Sequence, residues 1–163
     1  VEHLLVGTRA NRLHSISPDD GRIRWSQKAG ADVVGAPAAD ESSIYYAAFD
    51  NVLYALNRGN GNIRWRRNLP SRPSGGALRV DDVVLVPFST NAIGAFLVST
   101  GAPSFTIQAA GELGGAPFLR DKPRPTAPRL IAMSREGALQ GFAPRIEPAP
   151  APPGDLPGVK VGG

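Results

Sequence analysis

Positions forty residues apart carry the same kinds of side chain along most of this chain. Asn11, Asn51 and Asn91 form one such series, and Gly21, Gly61 and Gly101 a second. Trp25, Trp65 and Phe105 form a third, and Gly35, Gly75 and Gly115 a fourth. The apolar positions keep the same step: Leu4, Ile44 and Val84; Leu13, Leu53 and Ile93; Ile16, Leu56 and Phe96. A fourth copy follows an insertion of six residues, with Leu130, Leu139 and Phe142 lying 86 beyond Ile44, Leu53 and Leu56. The insert is the Pro-rich stretch Asp121–Pro128, read as an extended loop. A period of this length means that each copy is one supersecondary unit, which buries its apolar surface only by stacking on its neighbours.

Each period reads as β-structure. Ile44-Tyr45-Tyr46-Ala47-Ala48 and Val83-Val84-Leu85-Val86 are short runs of β-branched, aromatic and small apolar residues. Val52–Leu56 is a second strand, and Asn62–Arg67 alternates with period two as a third. Between those two lies Gly59-Asn60-Gly61, where glycine supplies the positive φ of a tight hairpin turn without steric cost. The softer segment Val33–Ala38 is the fourth strand. Its small residues suit a place where backbones crowd an axis, and Pro37 is tolerated only on a strand with a free edge. Four strands every forty residues, with the small-residue strand innermost, define a β-propeller blade. The expected fold class is therefore all-β, with blades of four antiparallel strands.

Composition removes several other classes. No apolar run approaches the roughly 18 residues of a membrane helix, and 42% hydrophobic residues is too many for a wholly disordered chain. Nineteen Gly and sixteen Pro fit a protein of many tight turns. With no Cys in the segment there is no disulfide framework, thiolate metal site, Cys nucleophile or Cys-linked lipid. The net charge of +4 comes from scattered residues, and the Arg64, Arg66, Arg67 triplet reads as a solvated strand face, so no nucleic-acid partner is expected. Val1-Glu2-His3 has neither a basic nor an apolar leader region, and the chain reads as a mature or excised piece of something longer. His14 shares its position with Tyr54 and Gly94 and reads as a packing residue. No phosphate loop, Ser–His–Asp set or paired-His spacing is present, so no catalytic, cofactor or metal residues are assigned.

The pattern Leu53-Tyr54-Ala55-Leu56-Asn57, a turn, then Gly61-Asn62-Ile63-Arg64-Trp65 resembles the repeat of the pyrroloquinoline-quinone-like propellers. It stands again at Leu13–Ser17, Gly21 and Trp25, and in weaker form at Ile93–Leu97, Thr100-Gly101 and Phe105. The likeness covers about residues 3–142. It implies that Trp25, Trp65 and Phe105 dock between neighbouring blades, and a large planar ring on each outer strand would stitch successive sheets together. The family's enzymes are quinoprotein dehydrogenases that carry the quinone and calcium in a central channel. Here Asp19-Asp20, Asp40-Glu41 and Asp81-Asp82 each fall at turns, and no carboxylate cluster resembles a calcium site. The non-enzymatic branch, which includes the outer-membrane assembly lipoprotein propeller, is the preferred resemblance. It implies a periplasmic or cell-surface scaffold that binds another protein. A fragment of a quinoprotein dehydrogenase, with quinone and calcium as cofactors, is one alternative, and the ligand-sensing ectodomain of a receptor kinase is another.

Counting strands gives 3+4+4+3, about three and a half blades, over 3–28, 33–68, 74–108 and 114–143 within a repeat region of 1–143. Residues 144–163, with six Pro and four Gly, read as an extended tail. An open propeller leaves two unpaired apolar faces, so the segment is expected to belong to a seven- or eight-bladed ring. A missing half or a homo-oligomer mate would close it, and membrane association would come only through a partner or an upstream anchor. Loops on one rim form the usual binding surface of such a fold. The candidates there are Arg9, Phe49, Asp50, Arg135 and Glu136. Phe49 is a large apolar residue where the other copies carry Arg9, Ser89 and Arg135, and the two arginines suit a carboxylate-bearing partner.

Overall fold

The computed structural model describes residues 3–120 and 130–143, so the Pro-rich insert and the 144–163 tail lie outside the described residues. Within them the chain forms fourteen strands and no helix. Sheet 1 holds β1 (Leu4–Thr8), β2 (Arg12–Ile16) and β3 (Ile23–Lys28). Sheet 2 holds β4 (Val33–Ala39), β5 (Ser43–Ala48), β6 (Val52–Asn57) and β7 (Ile63–Asn68). Sheet 3 holds β8 (Leu78–Val80), β9 (Val83–Pro87), β10 (Ala92–Leu97) and β11 (Pro103–Gln108). Sheet 4 holds β12 (Phe118–Leu119), β13 (Leu130–Met133) and β14 (Leu139–Phe142). All are antiparallel meanders in which chain neighbours pair, so each sheet is one blade, and the all-β propeller class expected from the repeat is the class observed.

Local chemistry explains the turns. Gly21, Gly61 and Gly101 sit at φ of 69°, 74° and 69°, and the N–H of each donates back across its hairpin, to Ser17, Asn57 and Leu97 carbonyls respectively. Asn11 and Asn51 occupy the left-handed region that Asn tolerates, at 57° and 60°. At the inner edge the glycines are required by neighbours. A Cβ on Gly35 would strike the backbone of Gly75 and Gly76 leading into sheet 3, and one on Gly75 would strike Gly115 and Ala116 leading into sheet 4. Small residues there let successive blades approach backbone to backbone.

The sheets stack face to face and the core lies between them, in three layers. Between sheets 1 and 2 pack Leu13 and Trp25 against Ile44, Tyr46, Tyr54 and Leu56. Between sheets 2 and 3 pack Tyr45, Ala47, Leu53 and Ala55 against Val84, Val86 and Phe96. Between sheets 3 and 4 pack Leu85, Ile93 and Ala95 against Leu130 and Ala132, with Phe142 at the margin. Alternate residues of one strand therefore serve two different layers, which is why both faces of the middle strands are apolar.

The outer strand of each of the first three sheets also carries a bulge. The pairing shifts between Ser15 and Ile16, between Ala55 and Leu56, and between Ala95 and Phe96, leaving Arg24, Arg64 and Ser104 as the extra residues. The bulge lies next to the strand's large ring. Trp25 stacks over Gly61 and donates its indole N–H to the Arg58 carbonyl at 3.0 Å. Trp65 does the same over Gly101 to the Val98 carbonyl, also at 3.0 Å. Phe105, at the third equivalent position, differs. It is 51% exposed and borders an open apolar groove of about 500 Å³ between sheets 3 and 4, with Leu119, Leu130 and Phe142. An apolar ring without an indole N–H has no such hydrogen bond to make, and among the described residues sheet 4 has no outer hairpin to receive it.

Candidate protein-binding rim

One rim of the arc is a chain of backbone hydrogen bonds that repeats with the sequence. The N–H groups of Ala29, Leu69 and Ala109, just after the outer strands, donate to the carbonyls of Asn11, Asn51 and Asn91 at 2.7–2.8 Å. The N–H groups of Phe49, Ser89 and Arg135 donate to Asp32, Arg72 and Glu112 carbonyls at 2.8–3.0 Å. One residue of each of these β5–β6-type loops thus spends its backbone on the scaffold, and the Phe49 and Arg135 side chains are exposed. Such a loop is fixed in place before any partner arrives, which lowers the ordering cost of association.

The side chains on this rim divide into three groups. Phe49 is partly exposed, and the Arg72 guanidinium from the loop entering sheet 3 lies 4.2 Å from its ring centroid. This cation–π contact bridges two blades and leaves one face of an aromatic presented beside a positive charge. Arg135 and Glu112 form a 3.7 Å ion pair with both side chains exposed, so solvent screens it and it adds little stability. Arg9 and Glu136 are exposed on the corresponding loops of sheets 1 and 4.

Asp50 has a different environment. Its carboxylate accepts the Tyr54 hydroxyl at 2.7 Å and the Val52 N–H at 3.2 Å, so it braces the Phe49 loop from below. The Tyr54 hydroxyl in turn accepts the Gly30 N–H at 3.2 Å, linking the loop that leaves sheet 1 to sheet 2. Burial raises the Tyr54 hydroxyl above its ordinary value, and the bond to Asp50 adds to the rise. Tyr46 stacks on Tyr54 with ring centroids 4.9 Å apart, and burial raises its hydroxyl strongly. That hydroxyl has no hydrogen-bond partner among the described residues.

Arg72 and Glu112 were not among the residues expected from the sequence. They stand, with Asp32, forty residues apart in the loops that enter each inner strand, so the same periodicity marks them once those loops are read alongside the β5–β6-type loops. The opposite rim is polar and basic. His3, Arg58 and Arg64 border one depression there with Glu41, and Arg58 and Arg64 point their guanidiniums at the Asp40 and Ser42 carbonyls. Partial burial, then the charges of Arg24 and Arg58, lower the His3 imidazole below its ordinary value. Asp40 turns the nearby hairpin. Burial alone would raise its carboxyl, but bonds from the Ser42 and Ser43 N–H groups and the Tyr45 hydroxyl carry it below the usual range. Among the described residues, no three His, Asp or Glu side chains converge in a way that could hold a metal ion.

Antiparallel sheets of three or four strands stacked about an axis of touching glycines, with a ring-and-turn lock between blades, make this an arc of a β-propeller built from the pyrroloquinoline-quinone-like repeat. The family model for outer membrane protein assembly factor BamB matches residues 2–125, and the chain belongs to that family. Two curated relatives bear the same name. The one from Yersinia pestis is 23% identical over 92 residues, covering 56% of this chain and 23% of the relative. The one from Xanthomonas campestris is 28% identical over 110 residues, covering 61% and 27%. The match thus spans about a quarter of these relatives' length. The crystal structure of BamB from Moraxella catarrhalis superposes with a TM-score of 0.71 at 21% identity, over 86% of this chain and 46% of that one. The computationally designed Ika4 protein superposes with a TM-score of 0.71 at 11% identity, over 87% and 85%. At those identities the two structures speak for the fold alone.

Proposed function

We propose that the protein is a non-catalytic propeller scaffold of the bacterial periplasm or cell surface that works in outer-membrane protein assembly by binding another protein along the Phe49 rim. The contact surface is Phe49 with Arg72 at its centre, flanked by Arg9 on one side and by Arg135 and Glu136 on the other, with Asp50 holding the central loop. The observation that carries this reading is the Phe49–Arg72 pair: an aromatic and a guanidinium, the residue types that anchor protein interfaces, held half-exposed on a hydrogen-bonded rim. The family match favours assembly over the dehydrogenase and receptor-ectodomain alternatives, because the matched relatives are named as assembly factors. In the complete ring, of seven or eight blades, the rim would continue on blades beyond this arc.

The test is made in the source cell, with the double substitution Phe49→Ala and Arg135→Glu placed in the gene. A control, Asn60→Ala, alters the opposite rim. Outer-membrane protein content is expected to fall in the double variant and to stay at the wild-type level in the control, with both proteins present in equal amount. Unchanged content in the double variant would contradict the rim assignment.

A further inference from the structure

We propose that Arg58 and Arg64, on the rim opposite Phe49, form a site for a phosphate group, carried either by a soluble phosphate ester or by a lipid headgroup. The site lies apart from the Phe49 rim, and neither reading depends on the other.

Both arginines belong to sheet 2, whose four strands are all described and whose two faces are covered by sheets 1 and 3. Arg58 opens the β6–β7 hairpin, and its main chain is fixed on both sides. Its N–H donates to the Ser42 carbonyl at 2.9 Å, and its carbonyl accepts the Trp25 indole N–H at 3.0 Å. Its guanidinium donates to the Asp40 carbonyl at 2.7 Å. Arg64, the bulge residue of β7, donates to the Ser42 carbonyl at 3.2 Å. The two guanidiniums are thus gathered at one hairpin and border one depression of about 460 Å³ with Ser42, Asn57 and Gly59.

A guanidinium has five N–H donors, and among the described residues each of these directs one hydrogen bond to a neutral carbonyl oxygen. The ion pairs among those residues are Arg22–Asp20 and Arg135–Glu112, so no carboxylate neutralises Arg58 or Arg64. Asp40 turns its carboxylate to the Ser42 and Ser43 N–H groups and the Tyr45 hydroxyl, which leaves Glu41 as the acid bordering the depression. The positive field reaches His3 at the margin of the same depression. Partial burial, then the charges of Arg24 and Arg58, hold its imidazole below the ordinary value.

The repeat shows that the fold does not require these side chains. In sheet 3 Val98 holds the place of Arg58. Its N–H donates to the Asp82 carbonyl at 2.9 Å, and its carbonyl accepts the Trp65 indole N–H at 3.0 Å, so a valine makes the same joint. Ser104 likewise takes the place of Arg64 at the third bulge. What the two arginines add is charge and forked donors, positioned by the scaffold before any ligand arrives. A phosphate ester carries nearly two negative charges and three acceptor oxygens that two forks can share, whereas a carboxylate has one charge and two oxygens.

The test is nitrogen-15 NMR of the intact protein at constant ionic strength. Inorganic phosphate should bind with a Kd of about 1 mM or tighter, shifting the Arg58 and Arg64 Nε–H signals. It should also raise the His3 pKa, because the anion offsets the positive neighbours that lower it. Arg58→Val and Arg64→Ser, the residues that sheet 3 carries, should each stay folded by circular dichroism and weaken phosphate binding about tenfold or more. Arg58→Val alone should raise the His3 pKa, and Arg9→Ala on the other rim should leave phosphate binding unchanged. Sedimentation with phosphatidic acid vesicles, against phosphatidylcholine vesicles, separates the two sources. Arg58-dependent vesicle binding that inorganic phosphate competes away assigns a headgroup, and a phosphate response without vesicle binding assigns a soluble ester. No saturable shift, a shift that chloride reproduces, or equal affinity in the two variants would overturn the proposal.

Discussion

Sheets 2 and 4 are copies of one unit, yet one is core and the other is half surface. In β5 all six residues are buried, whereas in β13 Leu130 and Ala132 are buried while Ile131 is half-buried and Met133 exposed. Leu53 and Leu139 hold the same place in the repeat and are 0% and 68% exposed. Leu53 pairs with Ala47 on one side and Arg67 on the other, whereas Leu139 pairs with Met133 alone, so the difference comes from the neighbouring sheet together with the outer strand that sheet 2 has and the described part of sheet 4 lacks. Burial in a stacked repeat belongs to the joint, and stability is accordingly close to a sum over joints.

The contrast can be broken most forcefully at the large rings. Trp25→Ala removes a nearly buried indole and its bond to the Arg58 carbonyl, and is expected to cost about 3–5 kcal/mol in a denaturant titration. Phe105→Ala, at the equivalent site without a receiving turn, is expected to cost about 1 kcal/mol or less. Equal costs would mean that the third ring is docked as firmly as the first. The leucines sharpen the same comparison. Leu53→Ala should lose about 2–5 kcal/mol, whereas Leu139→Ala should stay within about 0.5 kcal/mol. The smallest contrast is expected between two stacked tyrosines. Tyr54→Phe strands the Gly30 N–H and should cost about 1–2 kcal/mol, while Tyr46→Phe deletes a hydroxyl with no protein partner and should be neutral or slightly stabilising.

Much of this architecture is legible in the sequence because the period is read twice, once by residue type and once by turn chemistry. Gly21, Gly61 and Gly101 mark the hairpins, Asn11 and Asn51 mark the left-handed loop positions, and Gly35 and Gly75 mark the axis. Other features carry no local signal. The bulges at Arg24, Arg64 and Ser104 use ordinary residues with no glycine to mark them, and only the register shift exposes them. The exposure of Phe105 depends on what sheet 4 provides rather than on its own strand. On the rim, Phe49 and Arg135 are readable as loop outliers. The placement of Arg72 over Phe49 arises from the approach of two loops in different blades, and Asp50 is turned inward by a tyrosine four residues on.

The claim that the joints create the core is tested most directly by amide hydrogen exchange across the whole chain. The slowest exchange is expected in β5, β6, β9 and β10, the middle strands of the two sheets with neighbours on both sides, with protection falling toward β1 and β14 at the ends. Protection that is uniform over all four sheets, or greatest in sheet 1 or sheet 4, would contradict it.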